Sequence, residues 1–302
     1  MREPQRLLIN SMPKSGTHLL TQVVDLLGYQ DFGRHDSPWS KAKDRLGMGR
    51  PVVLAHLRVK RNLRRRLLMA VGSNQASPTL PIDVTLPVQT PVSLVAKWLH
   101  AIPSGQYLSG HLPWTETTAT LVRAAGLKNL LIVRDPRDVL VSFLHFVIRP
   151  QHVLSQDFLS LSSEQRLILA VDGGTGPRSG WPIVGLRQGF ESILDWRREQ
   201  DVLFVRFEAL IGERGDGSRA AQRSAVEDIC RFLELPPEDG LVEQVCRNAF
   251  DTGAATFRRG KIGAWQDELN PSQIEWCSER FAPILDDLAA LSATAQVGQE
   301  NR

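Results

Sequence analysis

Three short segments carry residue types that grip anions. Pro13-Lys14-Ser15-Gly16-Thr17-His18 sets a lysine and a glycine between a short apolar run and a helical pattern. Binding a phosphate takes backbone N–H groups aimed at one point, a cation nearby, and a residue without a side chain where the chain must approach closely. A glycine loop at a helix N-terminus meets the first and third needs, and the helix dipole adds to the attraction. The segment is not a Walker A loop, since its lysine precedes a single glycine. Taken alone it also reads as an ordinary strand-to-helix turn. In Arg134-Asp135-Pro136-Arg137-Asp138 an arginine follows an apolar run and can offer a planar fork of donors to a phosphate. Its plainer reading is a solvated helix start with local ion pairs. Arg258-Arg259-Gly260-Lys261 is a third cationic cluster, and by itself a generic basic loop. Any of seven histidines (His18, His35, His56, His100, His111, His145 and His152) could move a proton near neutrality, and chemistry alone does not choose among them.

The elements that must position these groups are legible from their patterns. Leu7-Leu8-Ile9 reads as a short buried strand, and Leu19, Leu20, Val23, Val24 and Leu27 recur at helical spacing up to a stop at Gly28. Val52-Val53-Leu54, Tyr107 to Gly110, Leu130 to Val133 and Val202 to Val205 are further strands. Val139 to Ile148 suits a buried helix begun at Asp135-Pro136, a cap followed by proline, and Ala225 to Leu233 an amphipathic helix. Strands apolar on both faces and alternating with helices indicate a parallel sheet in an α/β fold. Ser73 to Pro91 is polar and proline-dotted, and reads as a functional loop or an irregular insertion. Residues 1–292 are expected to form one domain, with 58–91 as a basic and proline-rich insertion and 293–302 as a flexible tail.

The chain has 302 residues, 42% hydrophobic and 23% charged, a balance that supports a folded core and argues against disorder. No apolar stretch reaches the roughly 18 residues of a membrane span. The first apolar run is too short for a signal peptide, so a cytoplasmic location is expected. Net charge is only +3, but Arg58, Lys60, Arg61, Arg64, Arg65 and Arg66 cluster. They form either a solvated face or a surface for an acidic acceptor or an anionic membrane; without interleaved aromatics, nucleic acid is not an expected partner. Cys230, Cys246 and Cys277 fit neither a disulfide framework nor a zinc site. Cys230 and Cys246 read as reduced core thiols, and no metal is expected.

Pro13-Lys14-Ser15-Gly16-Thr17 after an opening strand resembles the 5′-phosphosulfate loop of the cytosolic-type sulfotransferases, whose donor is 3′-phosphoadenosine 5′-phosphosulfate (PAPS). Arg134 to Phe143, with Ser142 eight residues after the arginine, is similar to that family's 3′-phosphate motif. Phe257 to Trp265 is similar to its C-terminal Arg-Lys-Gly-x-x-Gly-Asp-Trp element. The resemblance implies a P-loop-like three-layer fold with a central parallel sheet flanked by helices. It implies sulfuryl transfer from PAPS to a hydroxyl or amine of a small-molecule, lipid or glycan acceptor. Gly110-His111-Leu112-Pro113 matches the family's catalytic His-Leu-Pro, which implies His111 as general base and Lys14 at the leaving phosphate. Donor contacts are implied for Lys14, Ser15, Gly16, Thr17, His18, Arg134, Ser142, Phe250, Arg258, Arg259 and Gly260.

The chain also departs from the family's pattern. Leu19 stands where many members carry an adenine-stacking tryptophan, Ser109 where many carry a second active-site lysine, and Ala264 where Gly-Asp-Trp has its aspartate. Phe207-Glu208 replaces Tyr-Glu. Two other functions remain open from residues alone: a nucleotide triphosphatase or kinase on the same cradle, and a nucleotide-binding scaffold without chemistry. Gly173-Gly174-Thr175-Gly176 resembles a nucleotide loop but follows no convincing strand, and is expected to gate the acceptor site.

Overall fold

The computed structural model describes residues 3–32, 78–250 and 260–300. The expected strand at Val52-Val53-Leu54, the basic stretch Arg58 to Arg66, and Arg258 and Arg259 lie outside the described residues.

Strand β1 (Leu7–Ser11) leads into helix α1 (Thr17–Leu26) and strand β2 (Gln30–Asp31). After the undescribed segment come β3 (Thr79–Pro81), β4 (Gln89–Pro91), α2 (Val92–His100), β5 (Gln106–Gly110) and α3 (Glu116–Ala124). Next are β6 (Lys128–Val133), α4 (Pro136–Val147), α5 (Ser155–Leu159), α6 (Ser163–Asp172), β7 (Gly173–Thr175), β8 (Pro182–Val184) and α7 (Leu186–Leu194). A 3₁₀ turn at Asp195–Arg198 precedes β9 (Val202–Arg206) and α8 (Phe207–Leu210). The chain continues through α9 (Arg219–Phe232), α10 (Asp239–Asn248), α11 (Trp265–Glu268) and α12 (Pro271–Glu300).

Five strands form one parallel sheet in the order β2-β5-β1-β6-β9. Successive side chains point to opposite faces, so apolar runs such as Leu7-Leu8-Ile9 feed two cores at once. Leu8, Leu108, Leu131 and Val133 join one core with Val95 and Trp98 of α2, Val139 and Phe143 of α4, Phe190 of α7 and Phe281 of α12. Leu7, Ile9, Tyr107, Leu130 and Ile132 join the other with Val23 of α1, Ile229 of α9 and Val245 of α10. Helix layer, sheet and helix layer give the three-layer α/β fold. Among the described residues no helix is long and apolar enough to cross a membrane.

The predicted helix after Asp135 forms as Pro136–Val147, with the Asp135 carboxylate accepting the Arg137 N–H. All three cysteines are free, and burial pushes the Cys230 and Cys277 thiols up to about 11.

Within the segment read as a functional loop or an irregular insertion, Thr79 to Pro91 is a hairpin whose Leu80, Ile82, Val84, Leu86 and Val88 are all buried. A strict alternation of apolar residues runs beneath its prolines, and burial of that row outweighs the proline signal. Helix α12 runs on to Glu300, past the core positions that anchor its earlier turns and through most of the expected tail.

The hairpin's share of the core is testable. Ile82→Ala should lower unfolding stability by about 2–5 kcal/mol in urea titration, the range for a buried large-to-alanine change, whereas exposed Thr79→Ala should change it by less than about 0.5 kcal/mol.

Candidate active site

In an open parallel sheet the ligand crevice lies beyond the carboxyl ends of the strands, where the crossover direction reverses. Here that place is β1, with β5 and β2 to one side and β6 and β9 to the other. Four strand ends discharge their next residues there: Met12 to Gly16 after β1, His111 after β5, Arg134 after β6 and Phe207 after β9.

The loop after β1 winds tightly, with two left-handed residues close together. Lys14 has φ 74° and Gly16 φ 104°, flanking Ser15, whose N–H closes a turn onto the Met12 carbonyl at 3.2 Å. Left-handed backbone at Lys14 is costly for a residue with a side chain, and such strain concentrates where a loop's amides are aimed at a ligand. Gly16 is required twice over. Beyond its left-handed φ, a Cβ there would lie 2.5 Å from Phe207 Cδ2 and 3.2 Å from Ile132 Cδ1. No acidic side chain occupies the first turn of α1 to oppose an incoming anion. The Ser15 hydroxyl is fully buried and has no hydrogen-bond partner.

His111 is held on the neighbouring strand end. Its Nδ1 lies 2.8 Å from the Ser11 carbonyl oxygen and 3.2 Å from Ser11 Oγ. A carbonyl can only accept, so Nδ1 carries the proton and the neutral ring keeps its lone pair on Nε2. Ser11 Oγ and Thr17 Oγ1 share a 2.6 Å hydrogen bond, which ties the start of α1 to the same network.

Arg134 is almost fully buried at the end of β6. Its Nη2 donates to the Lys261 carbonyl at 2.6 Å and lies 3.3 Å from Asp138 Oδ2, while the guanidinium sits 4.2 Å from the Phe207 ring centroid. Asp138 in turn accepts the N–H groups of Gly263 at 2.9 Å and Trp265 at 3.2 Å. Burial pushes its carboxyl up, outweighing the opposite pulls of Arg134 and the two amides. Arg137 stacks on Trp265 at 3.9 Å and pairs with Asp135 at 2.7 Å. Through these contacts the segment from Lys261 to Trp265, distant in sequence, is fastened beside Arg134.

The expected residues distribute as follows. Lys14, Ser15, Gly16, Thr17, His111 and Arg134 gather at the carboxyl edge of the sheet. Ser142 is buried on α4, and Gly260, at φ 58°, opens the segment tied to Arg134. His18 is exposed on α1, and Phe250 is half-buried against the second core just after α10. Leu19, at the position of the family's stacking tryptophan, is itself part of that core. Of the other histidines, His145 pairs with Glu268 at 2.5 Å, His152 stacks edge-on against Phe146, and His100 is exposed at the end of α2. Gly173 to Gly176 belongs to the β7–β8 hairpin, where a Cβ on Gly173 would come 2.5 Å from the Ile183 carbonyl. Its turn is pinned by Asp157, which accepts the N–H groups of Arg178 and Ser179 at 2.7 and 2.8 Å. Among the described residues no group of histidine, cysteine and carboxylate side chains could hold a metal.

Several participants escape a reading of motifs alone. Phe146 lies 4.7 Å beneath Lys14 Nζ, Asp138 fastens the late segment, and Asn10 and Ser11 support the histidine strand. Asp138 stands in the Arg134 motif without declaring this role, and Asn10 leaves a signal as a lone amide in an apolar strand just before a glycine loop.

Comparison with known proteins gives a consistent result. The sulfotransferase domain family profile matches residues 4–289. Sulfotransferase 6B1 of Mus musculus is 24% identical over 199 residues, covering 61% of this chain and 58% of that protein, so the match spans less than two thirds of its length. The crystal structure of mouse sulfotransferase SULT7A1 complexed with PAP superposes with a TM-score of 0.58 and 19% identity over 98% of this chain and 90% of that one. Retinol dehydratase in complex with androsterone and the inactive cofactor PAP gives 0.53 and 16%, over 95% and 82%.

The Gly16 contact yields a direct test. Gly16→Ala should cost about 1–3 kcal/mol in thermal or urea unfolding, combining backbone strain with the clash at Phe207. Adding Phe207→Ala should leave the backbone share of the loss in place while relieving the clash.

Proposed function

The chain belongs to the sulfotransferase domain family, and from that premise we propose that it transfers a sulfuryl group from PAPS to a hydroxyl or amine of an acceptor. The observation that carries this reading is the meeting of the Lys14 loop, His111 and Arg134 at one edge of the sheet, fed by three adjacent strands. The PAP-bound structures of similar fold support the choice of nucleotide.

Bound PAPS supplies an activated sulfuryl group attached to a 5′-phosphate. The left-handed loop at Lys14 and Gly16, the orphaned Ser15 hydroxyl and the first turn of α1 suit that 5′ end. Arg134, stacked on Phe207 and anchored by Asp138, supplies charge for the 3′-phosphate. Ser142 and Gly260 complete that side, Arg258 and Arg259 are assigned to the same phosphate by their motif, and Thr17 and His18 extend the cradle along α1. Phe250 is assigned to one face of the adenine. With Leu19 in place of a tryptophan, the opposite face offers only aliphatic contact.

The acceptor's proton passes to His111 Nε2 as its oxygen or nitrogen approaches sulfur, and the Ser11 carbonyl stabilises the imidazolium through Nδ1–H. Lys14 neutralises charge growing on the phosphate that departs, so its ammonium matters most in the transition state. The acceptor class is a small molecule, lipid or glycan, residues 1–292 act as one domain, the protein works in the cytoplasm, and no metal takes part.

Thermal-shift titration tests the nucleotide first: 3′-phosphoadenosine 5′-phosphate should stabilise the protein at lower concentration than ATP or AMP. A preference for ATP with magnesium-dependent hydrolysis would instead indicate a nucleotide triphosphatase. Transfer of labelled sulfate from PAPS over an acceptor panel tests the chemistry. His111→Ala should lower transfer by at least about 100-fold while PAP binding persists, because the base does not hold the phosphates. Lys14→Ala should lower both transfer and PAP affinity. Full turnover by the His111 variant would remove the base assignment.

A further inference from the structure

The strand that carries His111 ends its pairing with β1 one residue too early to hold the histidine. The register of β1 with β5 runs from Leu7 opposite Tyr107 to Asn10 opposite Gly110 and stops there. Beyond it, Asn10 continues the ladder with its side chain. Its Oδ1 accepts the Leu112 N–H at 2.8 Å, and its Nδ2 donates to the Leu112 carbonyl at 2.9 Å. The same Oδ1 accepts the Ser11 N–H at 3.1 Å. Asn10 is fully buried, and the second lone pair of the Leu112 carbonyl is taken by Trp196 Nε1 at 3.0 Å. A primary amide has the donor and acceptor of a peptide group, and here it substitutes for the missing stretch of strand.

These three bonds reach both halves of the histidine's support. Leu112 directly follows His111, so its main chain is fixed at Gly110 by strand pairing and at Leu112 by the amide. Ser11 supplies the carbonyl that orients Nδ1 at 2.8 Å, and its own peptide is steadied by Asn10 Oδ1. We infer that Asn10 is a positioning residue for sulfuryl transfer, holding the base and the carbonyl that sets its tautomer in one rigid frame. The inference rests on His111 being the base. Asn10 lies on the far side of Ser11 from the glycine loop and is given no contact with donor or acceptor.

Steady-state kinetics on Asn10→Ala with a sulfated acceptor readout test it. The variant's kcat should fall by about 30- to 100-fold, the scale of losing base alignment, with acceptor KM and PAP Kd changed by less than about threefold. Asn10→Asp keeps both acceptor contacts but replaces the donor with a carboxylate oxygen facing the Leu112 carbonyl, so its kcat should fall at least as far as that of Asn10→Ala, and it serves where the alanine variant does not fold. The decisive comparison is a double-mutant cycle with His111→Ala. If Asn10 acts through the histidine, Asn10→Ala should cost less than about twofold in the His111→Ala background, far from additive. Equal losses in both backgrounds, or a kcat for Asn10→Ala within twofold of wild type, would overturn the inference. A His111→Ala enzyme with normal turnover would instead overturn the base assignment and is separately visible.

Discussion

Parallel pairing of β1 on both of its edges is the constraint from which the rest of the site follows. Because β5 and β6 run beside it in the same direction, their carboxyl ends open onto the loop that follows β1. Groups separated by about a hundred residues are thereby brought to one edge: Lys14 from one strand end, His111 from the next, Arg134 from the third. An antiparallel neighbour would send its following residue to the opposite end of the sheet. The fold needs its two apolar layers to keep β1 doubly paired, and Leu7, Leu8 and Ile9, all fully buried, serve both.

That arrangement leaves a charge problem, and the molecule answers it with groups packed around Arg134. Arg134 is nearly buried, where an unpaired guanidinium would be expensive to keep. Asp138 offsets its charge in part, and the Phe207 ring beneath it adds a cation–π contact of about 1–2 kcal/mol for a desolvated pair. Phe207 also fills the space that a side chain at Gly16 would need. One ring therefore couples the glycine loop to the arginine, and its lack of the family's tyrosine hydroxyl leaves this packing intact. Asp138 has a second task, since its carboxylate also receives the amides of Gly263 and Trp265. Loss of that charge would affect Arg134 and the late segment together.

How much of this was legible depends on the distance over which each contact is set. Strands apolar on both faces, such as Leu130 to Val133, and the Asp135-Pro136 helix start declare themselves locally, because burial and capping act within a few residues. The gathering of Lys14, His111 and Arg134 could be expected once their motifs were seen in order. Phe146 beneath Lys14 could not, because it depends on how α4 is rotated about its axis against the sheet. Nor could the part played by Asn10, which depends on where the β1–β5 register ends. The hairpin at Thr79 to Pro91 was legible and obscured: its alternating apolar row is complete, but Pro78, Pro81, Pro87 and Pro91 draw attention to turns.

The same hairpin packs against the outer side of the strand end that carries His111. The Val84 N–H donates to the His111 carbonyl at 3.1 Å, and the Thr85 carbonyl receives the Val184 N–H of the β7–β8 hairpin at 2.9 Å. Asp83 Oδ1 closes the turn between them by accepting from the Thr85 N–H and hydroxyl and the Leu86 N–H. The histidine strand is therefore bounded on one side by Asn10 and the glycine loop and on the other by two short hairpins. The glycine-loop side is shaped by fixed backbone geometry, with little freedom for substitution at Gly16. The hairpin side reaches the His111 carbonyl through the Val84 main chain, and Val84 itself is held in the core. The glycine loop is easy to find in the chain because its lysine and glycine sit in one short segment, whereas the hairpin contact to His111 is made by backbone and leaves no motif.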